Sequence, residues 1–319
     1  MSTDLTYDVV VVGGGAAGLS AAVALARSLR SVVVVDAGEP RNAPAEGAHN
    51  VLGREGIPPF ELLAAGRAEA ERYGARIRSG RAVAARRDGE GFVVELAGGG
   101  SLRARRLLLA TGLVDELPAV PGVRELWGHS VLHCPYCHGW EVRGRRIGVL
   151  GAGPMSVHQA LLFRRLSDDV TLLRHTMPDP GAEAQEQLAA LGVRVVDGPV
   201  RRLHHEGDAL RAVVLEDGRE VVVDALAVAP RFVARAELYE QLGGSVSEHP
   251  LGTFIATEPM GRTKVPGVWA AGNVGDLAAM VAVAAGAGVA AGAALNADLV
   301  AEEAGAAVAR ARATAGSAA

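Results

Sequence analysis

The chain carries two cysteines, Cys134 and Cys137, in the stretch His133-Cys134-Pro135-Tyr136-Cys137-His138-Gly139-Trp140-Glu141. Two cysteines scattered at random over 319 positions would fall three apart in well under about 2% of chains, so the spacing carries information. It is the spacing of a CxxC redox pair. Such a pair can close a strained, easily reduced disulfide, and a helix N-terminus can depress a thiol pKa. His133 and His138 bracket the pair, and a histidine can take a thiol proton and return it near neutral pH. Two other readings stay open on residues alone. One is half of a zinc site, although zinc wants four ligands and the sequence has no second CxxC. The other is a pair of inert buried thiols. The redox reading is carried forward, and no metal is expected.

A second chemistry is written in glycine. The β-branched run Tyr7–Val12 ends in Gly13-Gly14-Gly15-Ala16-Ala17-Gly18. A helical stretch over 19–28 follows, then the run Ser31–Val35, then Asp36. In a strand–turn–helix, Gly13 permits the tight turn, Gly15 lets backbone approach a pyrophosphate, and Gly18 lets helix and strand pack closely. The helix N-terminus offers N–H groups to phosphate, and Asp36 stands where a carboxylate accepts from ribose hydroxyls. The pattern recurs as Arg146–Leu150 followed by Gly151-Ala152-Gly153-Pro154-Met155-Ser156, a helical stretch over 157–166 and the strand Val170–Leu173. The offset from Gly13 to Gly151 carries Asp36 to Arg174. A carboxylate suits a free ribose and a guanidinium suits a 2′-phosphate. Ser156 in place of the third glycine, and Pro154 without an N–H, weaken this second site.

These motifs need elements to hold them. Arg106–Ala110 reads as a buried strand ending in Thr111-Gly112, and Gly267–Ala271 as another ending in Gly272-Asn273. Val221–Ala229 reads as one parallel core strand of the second unit. Proline- and glycine-bearing stretches at 117–122 and 243–252 read as crossings between units. The expected plan is α/β, with two Rossmann-like nucleotide-binding domains of the three-layer ββα type, the second inserted into the first. The first domain is expected over 1–117 plus 250–319, and the inserted domain, with the CxxC pair, over 118–249. Gly13, Thr111 and Gly272 would then meet at a topological switch point.

Composition narrows the function further. Net charge is −4 with pI near 6.2, which lacks the basic footprint of a nucleic-acid binder. Two cysteines do not staple a secreted scaffold, and Met1 to Asp8 lacks the basic start of a secretory signal. Leu277 to Leu295 is free of charge, but alanine and glycine transfer weakly into lipid, so a packed internal helix is expected rather than a membrane span. A cytoplasmic protein of two domains is expected. His49 is either a satisfied loop histidine or within reach of a cofactor, and Asp276 either caps a helix or orients a histidine or ligand.

With the first glycine motif, Ala110-Thr111-Gly112, the intervening CxxC, and Ala271-Gly272-Asn273-Val274-Gly275-Asp276, the chain resembles the low-molecular-weight, thioredoxin-reductase-like flavoproteins over nearly its whole length. The resemblance implies FAD in the discontinuous domain, NADPH in the inserted one, and a homodimer. It assigns FAD contacts to Gly13, Gly15, Ala16, Ala17, Gly18, Asp36, Ala37 and Arg41, with His49, Thr111, Gly112, Gly272, Asn273 and Ala282. Gly151, Gly153, Ser156 and Arg174 are the candidate NADP contacts. It further implies that Cys137 lies against the flavin and Cys134 exchanges with the external disulfide or thiol.

Departures from the family choose among reactions. His138 replaces the aspartate usual after the second cysteine. Arg174-His175-Thr176 replaces a His-Arg-Arg patch, and Gly272-Asn273 replaces glycine-aspartate. Ala279-Met280 replaces the usual arginine-glutamine pair. CxxC followed by histidine, with a thin NADPH patch, is similar to the gliotoxin- and holomycin-type oxidases, which close a disulfide in a small molecule and pass electrons to oxygen. Catalysis is then expected from Cys134 and Cys137, with His138 or His133, oriented by Asp276, moving protons. The alternatives are an NADPH-dependent reductase of a thioredoxin-like protein and a non-catalytic FAD-binding redox sensor.

Overall fold

The computed structural model describes residues 6–153 and 155–317. The chain opens with β1 (Thr6–Val12), α1 (Ala16–Arg27), β2 (Val32–Asp36), α2 (Pro59–Arg72), β3 (Arg76–Ser79), β4 (Ala82–Asp88), β5 (Gly91–Leu96), β6 (Ser101–Leu109) and β7 (Leu113–Glu116). Its middle holds β8 (Val131–Leu132), α3 (Pro135–His138), β9 (Ile147–Leu150), α4 (Met155–Arg164), β10 (Val170–Leu173), α5 (Ala182–Ala190), β11 (Arg194–Val196), β12 (Val200–Glu206), β13 (Ala209–Leu215), β14 (Glu220–Val222) and β15 (Ala225–Ala227). It closes with β16 (Arg231–Ala234), α6 (Glu237–Gln241), β17 (Ser247–His249), β18 (Gly252–Phe254), β19 (Val268–Ala270) and α7 (Val281–Ser317). The chain is mixed α/β and divides into two compact units.

The first unit takes the chain up to Ala43, Val51–Val114, and Phe232 onward. Its sheet has the order β3-β2-β1-β6-β5-β4, with β19 also pairing β6. The pairs β3–β2, β2–β1, β1–β6 and β6–β19 are parallel. β6 pairs with β1 and with two further strands in turn along its length. Its first residues pair antiparallel with β5, and Leu107–Leu109 pair with β19. Continuous valine runs suit strands buried on both faces. Val9, Val11, Val32 and Val34 pack with Leu25, Leu295 and Leu299 of α1 and α7. Val10, Val12, Val33 and Val35 pack with Phe92, Leu107 and Tyr239 on the other face.

The second unit takes Pro44–Asn50 and Asp115–Arg231. It has a parallel sheet in the order β11-β10-β9-β15-β8 and an antiparallel sheet β12-β13-β14. Ile147 and Val149 pack with Val157, Phe163 and Leu188. Leu150 and Leu173 pack with Leu203, Val213 and Leu215. The repeated unit is thus β1–α1–β2 and again β9–α4–β10.

Three details differ from the sequence reading. The second crossing lies at Arg231–Phe232 rather than at 249–250. Strand β16 lies beside β18, whose Gly252 and Thr253 pair in parallel with Phe232 and Val233. The stretch 221–229 is two strands, not one. β14 belongs to the antiparallel sheet and β15 to the parallel one. Asp224 separates them, its carboxylate accepting from Arg146 Nε at 2.9 Å. Finally, α7 runs far past Leu295. Its window Val281–Ala315 is long and apolar enough to cross a membrane by length and composition, with 33% of the apolar window buried. Its packing onto α1 accounts for the small residues. A Cβ on Gly288 would stand 2.0 Å from the Ala17 carbonyl oxygen.

Candidate active site

The first glycine turn is shaped by close approach. Gly13 holds φ +110°, and a Cβ there would come within 2.2 Å of the Ala110 carbonyl oxygen at the end of β6. Gly18, one turn into α1, would place a Cβ 1.9 Å from the Gly13 carbonyl oxygen. Gly15 caps α1 without any side-chain bond to the helix, and the space beside its Cα is open. A helix start of this kind, without a capping side chain, offers backbone N–H groups to an anion. The Asp36 carboxylate lies where a Cβ on Gly14 would stand, 2.5 Å from Oδ2. Asp36 also accepts from Gly38 N at 3.1 Å and from Arg67 at 2.7 Å. A carboxylate has room for a further donor, so ribose hydroxyls remain compatible with it. The residues present therefore fit an adenine dinucleotide.

The neighbouring strand ends supply the remaining positions. Thr111 Oγ1 donates to the Arg235 carbonyl at 2.7 Å, and Gly112 holds φ +72°. Gly272 holds φ +76°, where a Cβ would meet Ala17 at 2.9 Å. Asn273 donates from Nδ2 to the carbonyls of Asp276 and Ala279, at 3.0 and 2.9 Å, and accepts from Arg41 at 3.3 Å. An aspartate lacks those two donors, so the amide has a structural use of its own. Arg41 also stacks over Phe232, 4.9 Å from the ring centre. Asp276 accepts from Ala278 N at 3.0 Å in the turn before α7. Ala37 and Ala282 are exposed, Ala16 is half-buried and Ala17 is buried.

The redox pair lies in the second unit. α3 is a single turn with Cys134 at its N-cap, where the Cys134 carbonyl accepts from the N–H groups of Cys137 and His138. The sulfur atoms are 2.7 Å apart, the Cys137 thiol donating to Cys134, with no disulfide between them. Both cysteines are half-buried, while Tyr136 and Trp140 beside them are 65% and 67% exposed. His133 Nδ1 meets the Val228 carbonyl at 3.0 Å. A carbonyl only accepts, so Nδ1 carries the proton and Nε2 is the basic atom. Gln159, 8% exposed, ties this corner together. Its Nε2 donates to the carbonyls of His133 and Val228, at 2.9 and 3.2 Å. His138 has its Nε2 buried with no hydrogen-bond partner among the described residues. Burial pushes the His138 pKa down, Glu141 pushes it up, and His49 pushes it down. A neutral imidazole at pH 7 is a base, which suits a thiol proton.

His49 sits in the second unit, its Nε2 3.5 Å from Glu141. Asp276 belongs to the first unit and the cysteine pair to the second. Among the described residues, no group of three or more His, Cys, Asp or Glu side chains is arranged to hold a metal ion.

At the second glycine turn the phosphate donors are already used. Ser156, 1% exposed, accepts at Oγ from the N–H groups of Ala152 and Gly153, at 3.1 and 3.3 Å. A Cβ on Gly151 would meet the Leu173 carbonyl oxygen at 2.7 Å, whereas Gly153 faces open space. Pro154 lies outside the described residues. Arg174 donates to Asp197 at 3.0 Å and lies 3.9 Å from Asp179. Two carboxylates beside that guanidinium compete with a 2′-phosphate. These residues do not fit NADPH well. Arg67, Gln159, Asp179 and Asp197 went unread in the sequence because only the fold brings them to their partners. Glu141 was visible inside the CxxC motif but had no spacing signal of its own.

A sequence model of the pyridine nucleotide-disulphide oxidoreductase family matches residues 7–288. The chain is 36% identical over 292 residues to thioredoxin reductase tcpT of Claviceps purpurea, covering 87% of this chain and 89% of that one. It is 32% identical to thioredoxin reductase aclD of Aspergillus oryzae, covering 84% and 88%. The solved structure of HlmI is 47% identical with TM-score 0.90, over 97% of each chain. The family match runs through both glycine turns and the cysteine pair, so it describes the two-unit chain and not one nucleotide fold.

Proposed function

The chain belongs to the pyridine nucleotide-disulphide oxidoreductase family, in its thioredoxin-reductase-like, FAD-dependent part, and from that premise we propose that it oxidises a small-molecule dithiol to a disulfide with oxygen as final acceptor. The observation that carries this choice is the second glycine turn, whose donors Ser156 occupies and whose Arg174 is paired with Asp197. A pyridine nucleotide finds a poor seat there, so electrons enter through the cysteines instead.

In the oxidised enzyme Cys134 and Cys137 form the disulfide. One substrate thiolate attacks the Cys134 sulfur, a new S–S bond forms, and Cys137 leaves as thiolate. The second substrate thiol attacks the shared sulfur on the substrate side, closing the product disulfide and releasing Cys134. His138 receives a proton as a thiol ionises, and the Nε2 of His133 is the second basic atom at the pair. The first glycine turn and Asp36 would hold FAD, which would supply the sink for the two electrons left on the cysteines. Tyr136 and Trp140, next to the pair in sequence, are exposed, and their aromatic faces suit an apolar small molecule.

Anaerobic rapid mixing tests this. A dithiol should bleach the flavin absorbance, NADPH and NADH should leave it, and air should restore it with hydrogen peroxide formed. Fast bleaching by NADPH, with none by dithiols, contradicts the proposal. That outcome would favour the second reading, an NADPH-dependent reductase of a thioredoxin-like protein, which Arg174 at the phosphate position supports. A cytoplasmic homodimer is part of the same proposal.

A further inference from the structure

Backbone geometry sets Trp140 beside the redox pair. Pro135–His138 are helical, and Gly139 continues the turn at φ −71° and ψ −30°, its N–H donating to the Pro135 carbonyl at 3.0 Å. Trp140 therefore follows Cys137 by one helical turn. Residues three apart on such a turn are neighbours, with Cβ atoms about 5–6 Å apart, and Tyr136, four residues before Trp140, is a neighbour by the same rule. The Cys137 sulfur in turn lies 2.7 Å from that of Cys134.

The turn is firmly held. A Cβ on Gly139 would come within 2.4 Å of Leu166 Cδ1, Val142 is buried with Leu132, Ile147 and Phe163, and the Gly144 N–H donates to the Leu166 carbonyl at 2.9 Å. Trp140 and Arg143, before and after Val142 in the chain, stay at the surface. The Arg143 guanidinium stacks on the indole, 3.9 Å from the ring centre, and its Nη1 donates to the Trp140 carbonyl at 2.6 Å. The guanidinium covers one face of the ring, yet Trp140 remains largely exposed, so the opposite face is open. Nε and Nη2 of Arg143 have no acceptor among the described residues. Glu141, the nearest carboxylate in sequence, lies 3.5 Å from His49 Nε2 instead. Nε and Nη2 form an edge of the guanidinium that binds a carboxylate through two parallel bonds, and the stack on Trp140 orients it in advance.

We propose that Trp140 and Arg143 select the substrate of the redox pair: the open indole face stacks a planar ring, and the guanidinium edge takes a carboxylate on that ring. The substrate class is a dithiol borne on an aromatic or conjugated ring with an acidic group. This names the substrate of the oxidation proposed above and rests on that reading.

Two pairs of dithiols separate ring from charge: 1,2-bis(mercaptomethyl)benzene with its 4-carboxylate, and dihydrolipoamide with dihydrolipoate. Oxygen consumption by FAD-loaded enzyme gives kcat/KM for each. Wild-type enzyme should favour the aromatic carboxylate over its neutral partner by roughly three- to ten-fold, and the ratio should fall toward one in Arg143→Gln and in high salt. Trp140→Leu should lower kcat/KM for the aromatic pair by roughly three- to ten-fold and for the lipoyl pair by less, and Trp140→Phe should restore most of the loss. Equal values for the charged and neutral aromatic dithiols in wild type, or a preference that survives Arg143→Gln, overturn the proposal. So does an equal loss for both pairs in Trp140→Leu, the result of a merely structural indole. If Trp140→Leu does not hold FAD, the Trp140→Phe and Arg143→Gln ratios decide by the same criteria. If NADPH reduces the wild-type flavin and none of these dithiols does, the dithiol-oxidase reading itself fails and this inference falls with it.

Discussion

At the second glycine turn, one hydroxyl decides what the backbone can hold. Ser156 accepts from Ala152 and Gly153, and Arg174 is tied to Asp197. Ser156→Gly combined with Asp197→Ala frees two N–H donors and removes the nearer of the two carboxylates beside the Arg174 guanidinium. The pair of substitutions should tighten NADPH binding by about ten-fold, since charge-assisted bonds to phosphate are among the strong ones. Equilibrium titration of NADPH against both proteins checks this, and equal affinities would contradict it. His138 and His175 give a second prediction. Burial depresses both pKa values, with Glu141 partly restoring that of His138. The unfolded chain therefore binds more protons than the native one below the ordinary histidine pKa of about 6.5, and stability must fall as pH drops through it. Thermal unfolding at pH 7.5 and pH 5.5, each about one unit from that pKa, should show the lower Tm at pH 5.5, with a smaller difference in His138→Gln. A Tm that rises toward pH 5.5 would contradict this sign. The sequence showed the cysteines and histidines as chemistry, because their types and spacing are local. It could not show that Ser156 occupies its own turn, since the presence of a serine does not say where its hydroxyl points.

At the scale of elements, the close pairing of α1 and α7 is the sharpest constraint. Gly288 and Gly292 would press a Cβ within 2.0 Å of the Ala17 carbonyl oxygen and 3.0 Å of the Ala21 carbonyl oxygen. Gly288→Val relieves a helical glycine, worth no more than about 0.5 kcal/mol toward stability for a β-branched replacement. It also forces a branched side chain against backbone, an overpacking that costs about 1–3 kcal/mol or more. With a contact this short the second effect wins. Denaturant unfolding should show net destabilisation, along with weaker FAD retention, because Ala17 and the first turn of α1 move. Unchanged stability would contradict this packing argument. Here the sequence was partly legible. β1–α1–β2 could be read from valine runs and the glycine turn, because period and turn chemistry agree. The second crossing could not. Gly252 looked like part of a linker, yet a Cβ there would lie 1.7 Å from the Phe232 carbonyl oxygen. It is a glycine of close strand pairing, and nothing local distinguishes that from a linker glycine. Likewise 221–229 reads as one apolar run, and only Asp224 with its Arg146 partner marks where one sheet ends and the other begins.

At the scale of the molecule, one unit presents a dinucleotide cradle that fits FAD, and the other presents a cysteine pair between basic histidines. Inside the second unit, Gln159 on α4 donates to the carbonyls of His133 and Val228 and so ties the nucleotide repeat to the strand ends beside the cysteine pair. The order of motifs made this two-unit plan legible, since a nucleotide unit inside another leaves its signature twice along one chain. The proposed oxidase needs both centres to fill with electrons from the same substrate. The most direct measurement is an anaerobic titration of the oxidised holoenzyme with a dithiol, following flavin absorbance and free thiols together. The account predicts that full reduction consumes one dithiol for the cysteine pair and one for the flavin, and that Cys137→Ser holds its flavin oxidised at any dithiol excess. A variant that bleaches as fast and as fully as the parent would contradict the account at its centre.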